Sequence, residues 1–365
     1  MTEDWTAEAR RRLLGLRRGS GVWGYRPRSS AAVEPSALAS LALLADEGDG
    51  RPVRLPLSPG EGRGEGRGRS SDRRMSPTSR VAGDAASLTS GPSPGGRGEP
   101  DRPEALSTAR WLASIRRPDG SLGVTVALPE PGWATPFALL LWAAVGGFET
   151  ERSAALGWLL GREGKTDRRS ENDPLGHDPT IVGWPWVADT HSWVEPTALA
   201  LLALAREGRG DHPRSAEGAR MLVDRAIPGG GWNLGNPVIF GTTLRPLPGP
   251  TGLALLALSG RMGPSASPLT EAGRGRSSVI APAIAYLQAS LRETLAPISL
   301  GWGLLGLRAW GAEPPEAQSR LASAFDRLAS REPRADELAM LLLASGRRSL
   351  DVLGIAERQE GSRHA

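Results

Sequence analysis

The chain contains no cysteine. That excludes a disulfide framework and any metal site built on thiolates. It has a single lysine, Lys165; the other basic residues are arginines. Arginine stays charged to very high pH, so a net charge of only +4 carries the isoelectric point to about 10.3. The arginines are scattered over amphipathic stretches and linkers, and no nucleic-acid partner is expected. No apolar run reaches the roughly 18–20 residues of a membrane span, which leaves peripheral membrane contact open. The opening residues MTEDWTAEARRR lack the apolar core of a secretory signal, so a cytoplasmic location is expected. Phenylalanine and tyrosine are scarce, with four Phe and two Tyr against twelve Trp. The tryptophans fall mostly at places that correspond between repeats.

What is present is a recurring phrase. Val33-Glu34-Pro35-Ser36-Ala37-Leu38-Ala39 matches Val194-Glu195-Pro196-Thr197-Ala198-Leu199-Ala200 almost letter for letter. Ala134-Thr135-Pro136-Phe137 and Pro248-Gly249-Pro250-Thr251 open looser copies, and Ala296-Pro297-Ile298 and Glu332-Pro333-Arg334-Ala335 looser ones still. Each precedes an apolar run, and a proline is tolerated in a helix's first turn because no intrahelical N–H bond is lost there. Ala198 to Ala205 contains no polar residue. A helix apolar on every side must be wrapped by other elements. Ser192 with Glu195 fits a capping box at the start of that helix.

Each apolar helix follows an amphipathic one and a turn, often Gly-x-Trp. The first unit reads Asp4–Arg18, then Val22-Trp23-Gly24-Tyr25, then Glu34–Ala45. The second starts at Glu104 and ends in Pro136–Val145. The third pairs Ala155–Leu160 with the helix after Val194. The fourth runs from Ser215 through Gly231-Trp232-Asn233 to Pro250–Leu258. Ile284–Leu291 with Pro297–Trp310 make the fifth unit, and Ala317–Leu328 with Pro333–Leu343 the sixth. Residues 48–103 are rich in Gly, Arg, Ser and Pro and hold no aromatic residue, which reads as a disordered insertion. A shorter flexible insertion is expected at 260–278, and frayed residues at 358–365. Fixed-period repetition of helix pairs means stacking. Six such pairs in residues 1–365 can close into one domain of two concentric rings, an all-α toroid with apolar inner helices and amphipathic outer ones. Ala198, Ala200, Ala203, Gly301 and Gly303 on the inner helices are expected to leave room in the centre.

Three stretches carry a family likeness. Ala109 to Gly123, with Trp111 and Pro118-Asp119-Gly120, resembles the prenyltransferase and squalene-oxidase repeat, and Leu13–Trp23 and Met221–Trp232 are similar to it. Arg116 and Leu122 stand where that repeat usually has Gln and Trp. The likeness implies the α/α toroid of squalene–hopene cyclases and of protein prenyltransferase β subunits, and it extends over nearly the whole chain outside the two insertions. The Asp-x-Asp-Asp-Thr-Ala acid motif of the cyclases has no full match. Placing its Thr-Ala on Thr197-Ala198 sets Glu195 at the position of the proton-donating Asp. The Asp-Cys-His zinc site of the protein prenyltransferases cannot form without cysteine, and the Asp-rich diphosphate motif is missing. No metal site and no cofactor is expected.

The candidate residues follow. Glu195 is the candidate acid, because desolvation in an apolar setting holds a carboxyl group protonated. The plainer account is a helix-start carboxylate favoured by the macrodipole, a role Glu34 would share. Trp184, Trp186, Trp193 and Trp232, with Glu34, Asp189, His191 and Asn233, are the candidate ligand-binding residues, an aromatic and polar rim at the helix starts. For Trp23 and Trp232 the competing role is a wedge between units. His177, Asp178, Asp189 and His191 include metal-ligating residue types, but their spacing matches no zinc pattern. The expected function is binding of an apolar, isoprenoid-like ligand in the lumen. A cyclase or prenyl-transfer enzyme with Glu195 as its acid, and a protein-interaction scaffold, are the alternatives.

Overall fold

An apolar helix and an amphipathic helix cannot each hide their apolar surface alone, and the fold follows from pairing them repeatedly. In a computed structural model of the protein, residues 5–19, 21–46, 102–169, 174–259, 271–328 and 330–355 are described. The apolar helices are α2 (Val33–Asp46), α4 (Thr135–Val145), α6 (Val194–Arg206), α8 (Pro248–Ser259), α10 (Pro297–Ala309) and α12 (Ala335–Ser345). Each packs on the next, and α12 packs on α2, so they form a closed ring. The amphipathic helices α1 (Trp5–Gly15), α3 (Arg102–Ile115), α5 (Glu149–Leu160), α7 (Pro213–Asp224), α9 (Glu271–Ser290) and α11 (Ala317–Leu328) pack around it. A short helix α13 (Ser349–Val352) follows, and one two-residue hairpin pairs β1 (Val238–Ile239) with β2 (Thr242–Thr243). The described residues form an α/α toroid.

A hydroxyl clasp repeats from unit to unit. Ser36 Oγ accepts from the backbone N–H of Trp23 and donates to its carbonyl, both at 2.9 Å. Thr135 does the same to Leu122, Thr197 to Trp184 and Thr251 to Trp232. In three of these turns the indole N–H then donates to the end of the preceding outer helix or the residues near it: Trp23 to the Leu13 carbonyl, Trp184 to Leu159 and Trp232 to Leu222. The turn is therefore pinned to both helices of its unit.

Neighbouring units are joined at the helix starts. Val33 N–H donates to the Val124 carbonyl, Trp133 to Trp186 and Val194 to Leu234. Ala335 N–H donates to the Tyr25 carbonyl at 3.2 Å, closing the ring between the last unit and the first. At the other end Arg348 N–H meets the Ala45 carbonyl, so α2 and α12 run parallel. Arginines meet the carbonyls of the helix C-termini there. Arg206 donates to Ala143 and Asp351, and Arg308 to Ala344 and Gly346, as the negative dipole end favours.

Some expectations are corrected. The small residues do not open the centre. A Cβ on Gly252 would lie 2.3 Å from the Trp302 carbonyl oxygen and 2.5 Å from Gly303 Cα, so α8 and α10 meet backbone to backbone. Gly301 seats Met340, Gly303 seats Leu291, and Ala198, Ala200 and Ala203 are fully buried. The last inner helix is not led by proline: α12 begins at Ala335, and Glu332 is exposed ahead of it. α9 begins at Glu271, so residues 271–278 are helical, and 260–270 lie outside the described residues. So do 358–365 and, apart from residues 102 and 103 in α3, the insertion expected at 48–103. No helix among the described residues is long and apolar enough to cross a membrane.

Candidate functional site

The inner helices share a register set by their first backbone bonds. Ser36, Thr197, Thr251, Leu300 and Leu338 each donate to the carbonyl four residues back, and Thr135 joins them through its clasp on Leu122. Two residues before each lies one position at the mouth of the ring: Glu34, Trp133, Glu195, Gly249, Ile298 and Asp336. Glu34, Trp133, Glu195 and Ile298 are half-buried there, whereas the residues one turn deeper are closed off. The positive ends of all six helix dipoles gather at this mouth, which suits carboxyl groups.

Glu34 accepts a 2.5 Å hydrogen bond from the Tyr25 hydroxyl. Arg334 lies over the Tyr25 ring, 5.7 Å from its centroid, and grips buried Asp336 through two nitrogens at 2.6 and 3.2 Å. Arg331 pairs with Glu337 at 2.8 Å. Burial raises the Glu34 carboxyl; the Tyr25 hydrogen bond opposes it, the like charges of Asp336 and Glu195 add to it, and Arg334 opposes it. The outcome is a value pushed up to about 7. Burial alone raises Glu195, with no neighbour pulling back. The like charge of Glu195 reaches Glu34 although α4 stands between α6 and α2 in the ring. The Tyr25 hydroxyl is raised by its own burial and by Glu34, and stays a hydrogen-bond donor.

The capping box is not formed. Ser192 Oγ accepts from Gly183 N–H instead, Trp193 occupies the N-cap position, and no side chain caps α6. The third linker folds back on itself, and Ser192 is spent holding that fold. Glu195 is thereby left without the partner that would have made it a capping residue.

The other candidates are spread out. Trp193 is half-buried, with its ring against Gly235. Trp186 is half-buried and meets Trp133 edge-on at 5.5 Å. Trp184 is buried beneath the Arg214 guanidinium at 4.4 Å. Trp232 is fully buried, in the wedge geometry of Trp23. Asn233 turns its side chain onto the backbone of Gly235 and Asn236. Asp189 is exposed in a left-handed turn at φ 60°, and exposed His191 pairs with Asp167 at 2.9 Å. Asp178 is engaged with Thr180. Among the described residues no three of His, Asp and Glu are placed to hold a metal ion.

Tyr25, Arg334 and Asp336 escaped the sequence reading. Tyr25 carried one signal: it is one of two tyrosines and directly follows a Gly-x-Trp turn. Asp336 was hidden by Glu332-Pro333, which mimics the repeat phrase four residues early.

The chain is similar to type II terpene cyclases. It matches a variant of MstE from Scytonema, in complex with its substrate geranylgeranyl dihydroxybenzoate, at 14% identity and a TM-score of 0.49, over 91% of this chain and 79% of that one. A protein from Actinoplanes matches at 15% identity and a TM-score of 0.47, over 91% and 82%. For ent-copalyl diphosphate synthase from Streptomyces platensis the figures are 19%, 0.42, 69% and 46%. No protein family and no curated protein matches the sequence.

Proposed function

We propose that this protein binds an apolar, isoprenoid-like ligand at the mouth of its ring, where Glu34 and Glu195 meet it in their protonated form. One observation carries this reading: two half-buried carboxyl groups stand at corresponding helix starts at the mouth of an apolar ring, and burial favours the neutral form of each. A neutral carboxyl group can lie against hydrocarbon, where an ionised one would need a counter-ion. The exposed apolar residues Val126, Leu128, Val187, Leu234, Phe240 and Leu247 all belong to the linkers before α4, α6 and α8 and supply further apolar surface for such a ligand.

The enzyme reading, with Glu195 as acid, is weaker on chemical grounds. Protonating an alkene demands a strong acid, and burial makes Glu195 a weaker one. Geranylgeraniol is therefore expected to quench tryptophan fluorescence and to be recovered unchanged by gas chromatography. Absence of saturable quenching would sink the binding reading. A cyclic product made by the wild type and not by Glu195→Gln would establish the enzyme instead.

A further inference from the structure

Resting on the binding reading above, we infer that the ligand at the mouth carries an uncharged hydrogen-bonding head, such as the hydroxyl of a prenyl alcohol, and that the same chain ending in a diphosphate is refused. A gathering of helix starts ordinarily attracts anions, because each start has four backbone N–H groups without an intrahelical acceptor. Here those donors are used up. At α2, Ala32 N–H donates to the Trp23 carbonyl and Val33 N–H to the Val124 carbonyl, and Pro35 has no N–H, so Glu34 N–H is left. At α6, Trp193 N–H donates to Trp184 and Val194 N–H to Leu234, and Pro196 has none, so Glu195 N–H is left. At α8, Leu247 N–H donates to Trp232, and Pro248 and Pro250 have none, so Gly249 N–H is left. Phosphate groups are held by several converging N–H groups, and these helix starts offer one each.

The guanidinium groups of the last linker are committed as well. Arg334 holds Asp336 through two nitrogens at 2.6 and 3.2 Å, and Arg331 holds Glu337 at 2.8 Å. No cation is set against Glu195, whose carboxyl is raised by burial alone. A diphosphate at the mouth would meet Glu34, Glu195, Asp336 and Glu337 and take its counter-ions from none of these pairs without breaking them. Bringing an unpaired anion to a half-buried apolar place is costly. A hydroxyl avoids that cost. Tyr25 donates to Glu34 Oε2 at 2.5 Å and leaves Oε1 for a ligand. Glu34 is half-buried, so its carboxyl can be reached from the mouth. A hydroxyl both donates and accepts, so it can bond Oε1 whether the carboxyl is ionised or protonated.

The test titrates the full chain with geranylgeraniol and with geranylgeranyl diphosphate, followed by tryptophan quenching. The alcohol is expected to bind roughly tenfold or more tightly than the diphosphate. High salt should narrow that gap, which marks it as electrostatic rather than a matter of head-group size. Asp336→Asn frees Arg334 and should narrow the gap too, by strengthening the diphosphate. Equal or tighter binding of the diphosphate by the wild type would overturn the inference and leave the binding reading standing. Binding of neither ligand would remove the binding reading, and the inference with it. A gap unmoved by salt and by Asp336→Asn would show that charge is not what refuses the diphosphate. The wild-type comparison stands even where the variant fails to fold.

Discussion

At the scale of single residues, two kinds of polar group hold this protein, and they answer to different measurements. The hydroxyl clasp satisfies both backbone groups of a buried turn residue. In Thr251→Val the shape is kept, while the Trp232 N–H loses its 2.9 Å acceptor in a place water does not reach. A loss of about 1–3 kcal/mol in denaturant unfolding is expected, and a change near zero would show that the clasp is dispensable. Glu34 works through protons. Its value in the folded state, about 7, lies above the ordinary 4.5, so the native state holds the proton more tightly than the unfolded chain. Stability from this group is complete below about pH 4.5 and is lost as pH rises to about 7. Glu34→Gln keeps an acceptor for Tyr25 and should flatten that decline, leaving the variant more stable than the wild type by about 1–3 kcal/mol above pH 7. A wild type equally stable at pH 5 and pH 8 would rule this out. The residues of the mouth were only partly legible in the sequence. Glu34 and Glu195 announced themselves by repetition. Tyr25, Arg334 and Asp336 could not, because residues 25 and 334 meet only when the ring closes, and no local pattern encodes that meeting.

At the scale of elements, two glycines have opposite meanings, Gly252 in an inner helix and Gly157 in an outer one. Gly252 lies where α8 and α10 touch, and the atoms a methyl group would strike are backbone atoms that cannot swing aside. Gly252→Ala should therefore push two inner helices apart and cost about 3 kcal/mol or more, in thermal or denaturant unfolding. Gly157 in α5 has open space around its Cα. Gly157→Ala should stabilise by about 0.5–1 kcal/mol, from helix propensity alone. If both substitutions cost the same, the close approach of α8 and α10 is not what holds them. The paired helices themselves were readable, because an apolar run after a proline and an amphipathic run before a Gly-x-Trp turn leave few alternatives. What the small residues do was not readable. Composition cannot distinguish a glycine that opens space from one that lets a neighbouring backbone fill it.

At the scale of the ring, parallel inner helices sort charge by end. Carboxyl groups gather where the dipoles are positive, and Arg206 and Arg308 gather where they are negative. The mouth thus has a reason to hold acids that owes nothing to a ligand; what sets Glu195 apart is that it is half-buried and raised by burial, with no charged neighbour opposing the shift. The proposed function accounts for it by giving the neutral carboxyl an apolar ligand to face. The most direct test is the affinity for geranylgeraniol, by tryptophan quenching, at pH values from about 5.5 to about 8.5, on either side of the Glu34 value. An apolar ligand that prefers neutral carboxyls should bind the wild type progressively more weakly as pH rises through about 7. Glu34→Gln should lose most of that dependence. Affinity in the wild type that does not change over this range would contradict the account.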